Sequence, residues 1–202
     1  MSLTPLQALK KTVAALSGLP CRFCLIGGHA ASLYRTQERF TRDVDFALVA
    51  GSDDQSREVA EQAIAKLGMK PMAGFIALAG KESARSALCM VTSEPSPLEL
   101  AGLVDILLPQ LPWVTEAVER AQDNLIDLGF ARVPVITPED LILAKCYAFT
   151  NAPDRFQDLD DLKRLFQDVS DLDTDYLRRR LFELGLTIPS EVKKFAPASL
   201  RA

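Results

Sequence analysis

Two aspartates at one end of an apolar run constrain the fold more than any other part of this chain. The run reads Asp43-Val-Asp-Phe-Ala-Leu-Val49, with the alternation typical of a strand. Side chains two apart on a strand point to the same side, so Asp43 and Asp45 project from one face, about 6.6 Å apart along the chain. Two such carboxylates repel each other unless a cation or a shared proton lies between them. The two acids are therefore expected either to be solvated at the end of the sheet or to bind a divalent cation, and Mg²⁺ suits such a site because it takes one or two carboxylates together with substrate phosphates.

A second apolar strand carries a single acid. The segment Val104-Asp-Ile-Leu-Leu108 places Asp105 among aliphatic side chains. If this strand lies beside the first, about 4.8 Å away, Asp105 joins the aspartate pair. Three carboxylates can hold two metal ions, of which one activates the attacking oxygen and the other stabilises the leaving oxygen of a phosphoryl transfer.

A glycine pair follows the expected strand over 23–26. Gly27 and Gly28 have no side chains, so their backbone N–H groups can approach an anion closely, and the next helix adds the favourable dipole of its N-terminus. Between this pair and the acids lie side chains that can receive a triphosphate or a nucleic-acid phosphate: Arg35, Arg39, Thr41 and Arg42.

An inward-facing lysine is expected further along the chain. Lys145 falls on the apolar stripe of a nearly uncharged helix, so it either pairs, meets an anion such as phosphate, or reaches past the helix edge to water. The next helix begins with Asp158, Asp160 and Asp161, where the helix dipole favours acids in any case. For His29, just after the glycines, we expect a structural role with its hydrogen bonds satisfied.

The remaining patterns predict an α/β N-terminal half followed by helices. We expect an α/β core over residues 1–136 and a helical C-terminal part over residues 137–202. Strands are expected over 23–26, 43–49, 87–91, 104–108 and 133–136, with a loop at 94–97. Helices are expected after the N-caps Thr4, Ser52 and Thr137, and over 29–35, 155–169 and 176–184.

Composition excludes several classes of protein. The net charge of −4 argues against a wholly basic nucleic-acid binder. The apolar runs fall well short of the about 20 residues that a membrane span needs, and the N-terminus lacks a signal-peptide pattern, so a cytoplasmic protein without membrane contact is expected. Cys21 and Cys24 have redox-motif spacing, but positions three apart on a strand face opposite ways, which favours free thiols.

Taken together, these motifs resemble a known family. Leu25-Ile-Gly-Gly-His-Ala, Arg39-Phe-Thr-Arg-Asp-Val-Asp-Phe and Val104-Asp-Ile-Leu look like the nucleotidyltransferase superfamily with the DNA polymerase β-like fold. The match is nearest to its minimal, abortive-infection AbiEii-type toxin branch, which the segments 137–145 and 155–162 also resemble. Gln157 stands where that branch commonly has a lysine.

The resemblance implies a fold, a reaction and a set of site residues. The fold would be α+β, with a small mixed sheet flanked by helices and a helical C-terminal part. The reaction would be metal-dependent transfer of NMP from an NTP to a hydroxyl of a protein, RNA or small molecule, with Mg²⁺ or Mn²⁺, by the toxin of a pair with an antitoxin partner. Asp43, Asp45 and Asp105 would be metal ligands and catalytic, with Asp105 the candidate base, and the nucleotide would contact Gly27, Gly28, Thr41, Arg42 and Lys145.

Two alternatives stay open at this point. The first is a degenerate member of the same fold that binds a nucleotide or a partner without turnover. The second is a dinucleotide-dependent oxidoreductase, since a strand, a glycine pair and a helix followed by an acid resemble a Rossmann start. The Gly-x-Gly-x-x-Gly spacing of that fold is missing, and two acids on one strand face suit a metal better than a ribose.

Overall fold

The structure, a computed structural model, describes residues 3–37, 39–78, 85–94 and 103–201. Its centre is a mixed sheet of five strands in the order β1-β2-β5-β4-β3. Strands β2 and β5 run parallel, and the other neighbours are antiparallel. The strand bounds are Arg22–Leu25 (β1), Val44–Val49 (β2), Pro71–Leu78 (β3), Arg85–Ser93 (β4) and Val104–Leu107 (β5).

Helices surround this sheet and continue beyond it. Their bounds are Pro5–Ser17 (α1), Gly27–Tyr34 (α2), Asp53–Lys66 (α3), Val114–Ala121 (α4), Pro138–Asn151 (α5), Phe156–Asp168 (α6), Thr174–Glu183 (α7) and Ser190–Lys193 (α8). A small antiparallel hairpin, Leu125–Asp127 (β6) and Arg132–Pro134 (β7), precedes α5. A short 3₁₀ turn, Ala198–Leu200, lies near the end of the chain. No helix among the described residues is long and apolar enough to cross a membrane.

The predicted helix caps form as the sequence indicates. The hydroxyl of Thr4 accepts from the N–H of Gln7, whose side chain in turn accepts from the N–H of Thr4, so both residues satisfy backbone donors at the start of α1. Ser52 and Thr137 accept in the same way at the starts of α3 and α5. All four cysteines are free.

The α+β class is confirmed, but several elements differ from the expectation. Helix α2 begins at Gly27 rather than at residue 29, so the glycines form its first turn. Strands β3 and β6 were not expected, and β4 extends beyond 87–91 at both ends. The expected strand over 133–136 is shorter, although Val135 forms a bridge with Leu25. Residues 95–97 of the expected loop lie outside the described residues.

One apolar core extends across the expected boundary between residues 136 and 137. Its buried members run from Ala8 in α1 to Leu200 near the C-terminus. Polar contacts also join the two parts, because the Tyr34 hydroxyl donates to the Ile136 carbonyl at 2.8 Å. Helix α2 contacts both α5 and α6, which places the C-terminal helices directly against the glycine pair.

Candidate active site

The parallel pairing of β2 and β5 brings two of the predicted acids together. Asp45 and Asp105 lie opposite each other in the register of these strands. Asp43 precedes β2 by one residue and lies on the same side as Asp45. The hydroxyl of Thr92, on β4, donates a short hydrogen bond to Asp105. The three carboxylates therefore line one end of the central strands, as the sequence predicts.

Burial and nearby negative charge make Asp45 and Asp105 hard to ionise. Burial and the charge of Asp105 raise the pKa of Asp45 to about 6, although Lys145 and the N–H of Gly28 favour the charged form. Burial also raises the pKa of Asp105, with a smaller contribution from the charge of Asp43, and the hydrogen bond from Thr92 opposes both. A cation bound beside these acids would stabilise their ionised form.

The chemistry of these donors fits Mg²⁺. Carboxylate oxygens are the protein ligands that Mg²⁺ prefers, and substrate phosphates and water complete its octahedron. The described residues contain no group of three or more His, Cys, Asp or Glu side chains placed to hold a metal ion, so Asp43, Asp45 and Asp105 do not form a complete metal site on their own. An open arrangement of this kind suits a metal that arrives with its substrate.

The side chains of Asp45 and Arg39 approach the glycine pair so closely that they leave no room for a Cβ. Gly27 has φ +64°, and a Cβ there would lie 1.9 Å from Oδ2 of Asp45. A Cβ on Gly28 would lie 1.7 Å from Nη1 of Arg39 and 2.7 Å from the hydroxyl of Thr41. Glycine at both positions lets the N-terminus of α2 touch an acid of β2 and a cation at once.

A cavity of about 250 Å³ joins these groups. We call it the catalytic cavity. Of the residues predicted as site residues, seven line it: Gly27, Gly28, Thr41, Asp43, Asp45, Asp105 and Lys145. Arg42 is exposed and is not among the lining residues. Arg39 lines the cavity, together with residues that were not predicted as site residues, including Trp113, Arg155 and Gln157.

Lys145 is buried and paired with acids of α6. Its Nζ donates to Oδ1 of Asp158 at 2.7 Å and lies 2.8 Å from Oδ2 of Asp161. Asp161 also contacts Arg35 at 2.6 Å and the Nε of Arg39 at 2.9 Å. We call these five residues the charged cluster.

The charged cluster corrects the expectation for the first turn of α6. Asp158 and Asp161 are 2% and 0% exposed, so the helix dipole alone does not account for them. Asp160, in contrast, is half exposed and fits the expectation better. Burial raises the pKa of Asp158, but the charges of Lys145 and Arg155 outweigh it and leave that pKa below its ordinary value.

His29 also differs from the expectation. Its Nε2 is buried and has no hydrogen-bond partner among the described residues. Burial and the charge of Arg39 lower its pKa, so the ring is neutral at pH 7. The side chain is not among those lining the catalytic cavity.

Comparison with known proteins places this geometry in a family. The sequence profile described as "Nucleotidyl transferase AbiEii toxin, Type IV TA system" matches residues 8–188. The chain belongs to the AbiEii nucleotidyltransferase toxin family. The resemblance given by the motifs is thereby confirmed, and the Rossmann alternative is not supported. Comparison with curated protein sequences gives no match to this AbiEii-family chain.

Solved structures share the fold at low sequence identity. The antibiotic-resistance factor ANT(2'')-Ia matches with a TM-score of 0.53 at 16% identity, over 87% of this chain and 90% of its own. The lincosamide antibiotic adenylyltransferase LnuA, solved with lincomycin bound, matches with a TM-score of 0.51 at 16% identity, over 83% and 100%. MenT4, a nucleotidyltransferase toxin from Mycobacterium tuberculosis H37Rv, matches with a TM-score of 0.46 at 19% identity, over 88% and 62%. The two structures with TM-scores above 0.5 show that the AbiEii-family chain has a nucleotidyltransferase fold.

Proposed function

We propose that this chain is a metal-dependent nucleotidyltransferase that transfers NMP from an NTP to a hydroxyl, as the toxin of a pair with an antitoxin. One observation carries the proposal: Asp45 and Asp105 lie side by side on parallel strands, in the cavity that the Gly27-Gly28 helix start also lines. Membership of the AbiEii family supports the toxin role.

The catalytic cavity is lined by side chains of both charges. Asp43, Asp45 and Asp105 supply carboxylates, and Arg39 and Lys145 supply cations. The N-terminus of α2 adds its N–H groups and its positive dipole end. A triphosphate would lie against these cations and the N-terminus of α2, with its α-phosphate at the acids.

The acids would hold Mg²⁺ or Mn²⁺, which supplies charge neutralisation to the phosphates during transfer. The acceptor oxygen attacks the α-phosphorus of the NTP, and the bond from that phosphorus to the β-phosphate oxygen breaks. Pyrophosphate leaves, and the proton of the acceptor hydroxyl passes to the carboxylate of Asp105. Gly28, Thr41 and Arg39 would hold the triphosphate in line for this displacement.

The test uses purified protein, each of the four α-³²P-labelled NTPs, Mn²⁺ and a cell extract. We expect label transfer with the wild type, and none with Asp43→Asn or Asp105→Asn, which should also lose Mn²⁺ binding measured by titration calorimetry. Asp123→Asn, at an exposed acid outside the cavity, serves as the matched control and keeps both.

Two results of this experiment contradict the proposal. Asp43→Asn with full transfer activity would remove the carboxylates from the mechanism. Nucleotide binding by the wild type without label transfer to any component of the extract would favour the degenerate, non-catalytic alternative.

A further inference from the structure

A groove near the C-terminus lies apart from the catalytic cavity. Its volume is about 270 Å³, and its walls come from α7, α8, the segment between them and the 3₁₀ turn near the end of the chain. Among the described residues, none lines both this groove and the catalytic cavity. We call it the C-terminal groove, and its floor consists of Leu181, Leu186, Ile188 and Leu200.

We propose that the C-terminal groove binds a segment of a partner protein in which a large apolar side chain lies next to Asp or Glu residues. The apolar side chain lies on the floor of the groove, and the carboxylates lie at the cations of its walls. The inference goes beyond the proposed function and does not depend on it, because the groove and the catalytic cavity have no described lining residue in common.

The floor and rim of the groove are suited to an apolar side chain. The four floor residues are aliphatic and each is 7–8% exposed, whereas Phe182 beside them on α7 is 87% exposed. A side chain that enters the groove covers the floor and part of Phe182, which removes apolar surface from water. Small-molecule sites are usually about 300–1,000 Å³, so a groove of this size suits one or two side chains better than a cofactor.

The charge around the groove favours an acidic partner. Arg178 on α7 and Lys193 on α8 line it, and no lining residue in the described part of the chain is acidic. Residues 174–201 contain six basic and three acidic side chains, whereas the whole chain has a net charge of −4. An acidic segment is therefore attracted to this end of the molecule and repelled by the rest, which directs its docking to the groove.

Arg178 keeps the capacity to bind a carboxylate of the partner. Its guanidinium donates to Asp175 at 2.8 Å and to the carbonyl of Ser199 at 3.1 Å. The side chains of Asp175 and Arg178 are 88% and 53% exposed, and an ion pair in such an exposed position contributes little free energy. A carboxylate of the partner therefore replaces Asp175 at small cost.

A protein segment fits the groove better than RNA or a membrane surface. Bases of single-stranded RNA stack on aromatic rings, and Phe182 is the one aromatic residue among the described lining residues, so the aliphatic floor would stay uncovered. Binding in a membrane surface needs a whole apolar face. Phe182 is also the one described lining residue that is both large and apolar and largely exposed.

The experiment selects a phage-displayed library of random dodecapeptides against the full wild-type chain. We expect enriched peptides in which a large apolar residue lies next to Asp or Glu. The most enriched peptide is then synthesised with a fluorescein label, and its anisotropy is recorded during titration with each protein. Phe182→Ser should weaken its affinity at least about tenfold, because it removes an exposed contact and no core residue. Phe156→Ser makes the same change at a side chain that is 75% exposed outside the groove, so this matched control keeps the affinity.

An exchange of charge tests the preference for acids. Lys193→Glu should weaken the affinity for the acidic peptide at least about tenfold. The same peptide with its acids changed to Lys should bind Lys193→Glu more tightly than it binds the wild type, which a loss of structure in the variant would not produce.

Several results would overturn the proposal. They are the absence of enriched peptides, enrichment of neutral or basic peptides, and equal affinity of the wild type and Phe182→Ser for the acidic peptide. Binding of a short RNA or of phosphatidylserine vesicles that is lost in Phe182→Ser, without any enriched peptide, would assign the groove to that other partner. None of these results bears on nucleotide transfer at the catalytic cavity.

Discussion

Removing the charge of Asp161 should destabilise this protein strongly. In the charged cluster, its fully buried carboxylate contacts Arg35 at 2.6 Å, Lys145 at 2.8 Å and Arg39 at 2.9 Å. Asp161→Asn has nearly the same shape but no charge. Three cations, of which Arg35 and Lys145 are less than one-tenth exposed, would then share a neutral amide.

The magnitude follows from burial. Removing one partner of a buried ion pair costs about 3–5 kcal/mol of unfolding free energy. Arg35 and Lys145 each keep a second carboxylate, from Asp160 and Asp158, so we expect the lower end, about 3 kcal/mol. For a chain of this size, each kcal/mol lowers the melting temperature by about 2–4 °C, so the expected decrease is about 6–12 °C.

The neighbouring residue provides the control. Asp160 contacts Arg35 at 2.7 Å and lies on the same helix, but its side chain is half exposed. Asp160→Asn should therefore cost under about 1 kcal/mol. Thermal unfolding followed by circular dichroism compares the two variants with the wild type. Equal melting temperatures for Asp161→Asn and Asp160→Asn would refute the argument, because burial would then have no energetic consequence in this cluster.

Three further predictions concern the glycine pair, helix α7 and acid stability. Gly28→Ala should weaken binding of an NTP analogue at least about tenfold by displacing Arg39, with the far-ultraviolet circular dichroism unchanged; calorimetry measures the affinity. Tyr176→Phe removes the buried hydrogen bond to Asp140, 2.5 Å long, and should cost about 1–3 kcal/mol in urea unfolding. Because the folded state lowers the pKa of Asp158, its charged form stabilises the protein above about pH 4, and this stabilisation is lost as the pH falls through the folded-state pKa. In Asp158→Asn the free energy of unfolding, measured by urea unfolding at a series of pH values, should therefore fall less steeply towards acid pH than in the wild type.

The sequence was most informative where a residue type contradicts its surroundings. Acids in apolar strands at Asp45 and Asp105 predicted that their strands are neighbours, because burying a charge demands a specific reason, and the structure pairs the two residues directly. For Lys145 on its apolar stripe the sequence left three outcomes open, and the structure shows a buried lysine paired with acids. The cap at Thr137 fixed the start of α5 from local chemistry alone.

Features set by distant contacts were not predictable in this way. The burial of Asp161 depends on Arg35 and Arg39, more than 100 residues earlier in the chain, while acids at a helix start are favourable without any partner. Strand β3 contains Pro71 and Gly74, which weaken a strand pattern, and it forms by pairing with β4. The cavity lined by Met90, Leu107 and Tyr147 combines β4, β5 and α5, so no single segment signals it.

The pairing of Asp45 with Asp105 has a consequence for synthesis on the ribosome. The two strands are parallel neighbours, yet α3, β3 and β4 separate them along the chain. Such non-local contacts form late, and the acids of α6 that pair with Lys145 emerge later still. On the proposed function, nucleotide transfer therefore waits until both β5 and α6 have left the ribosome, after most of the chain has been translated.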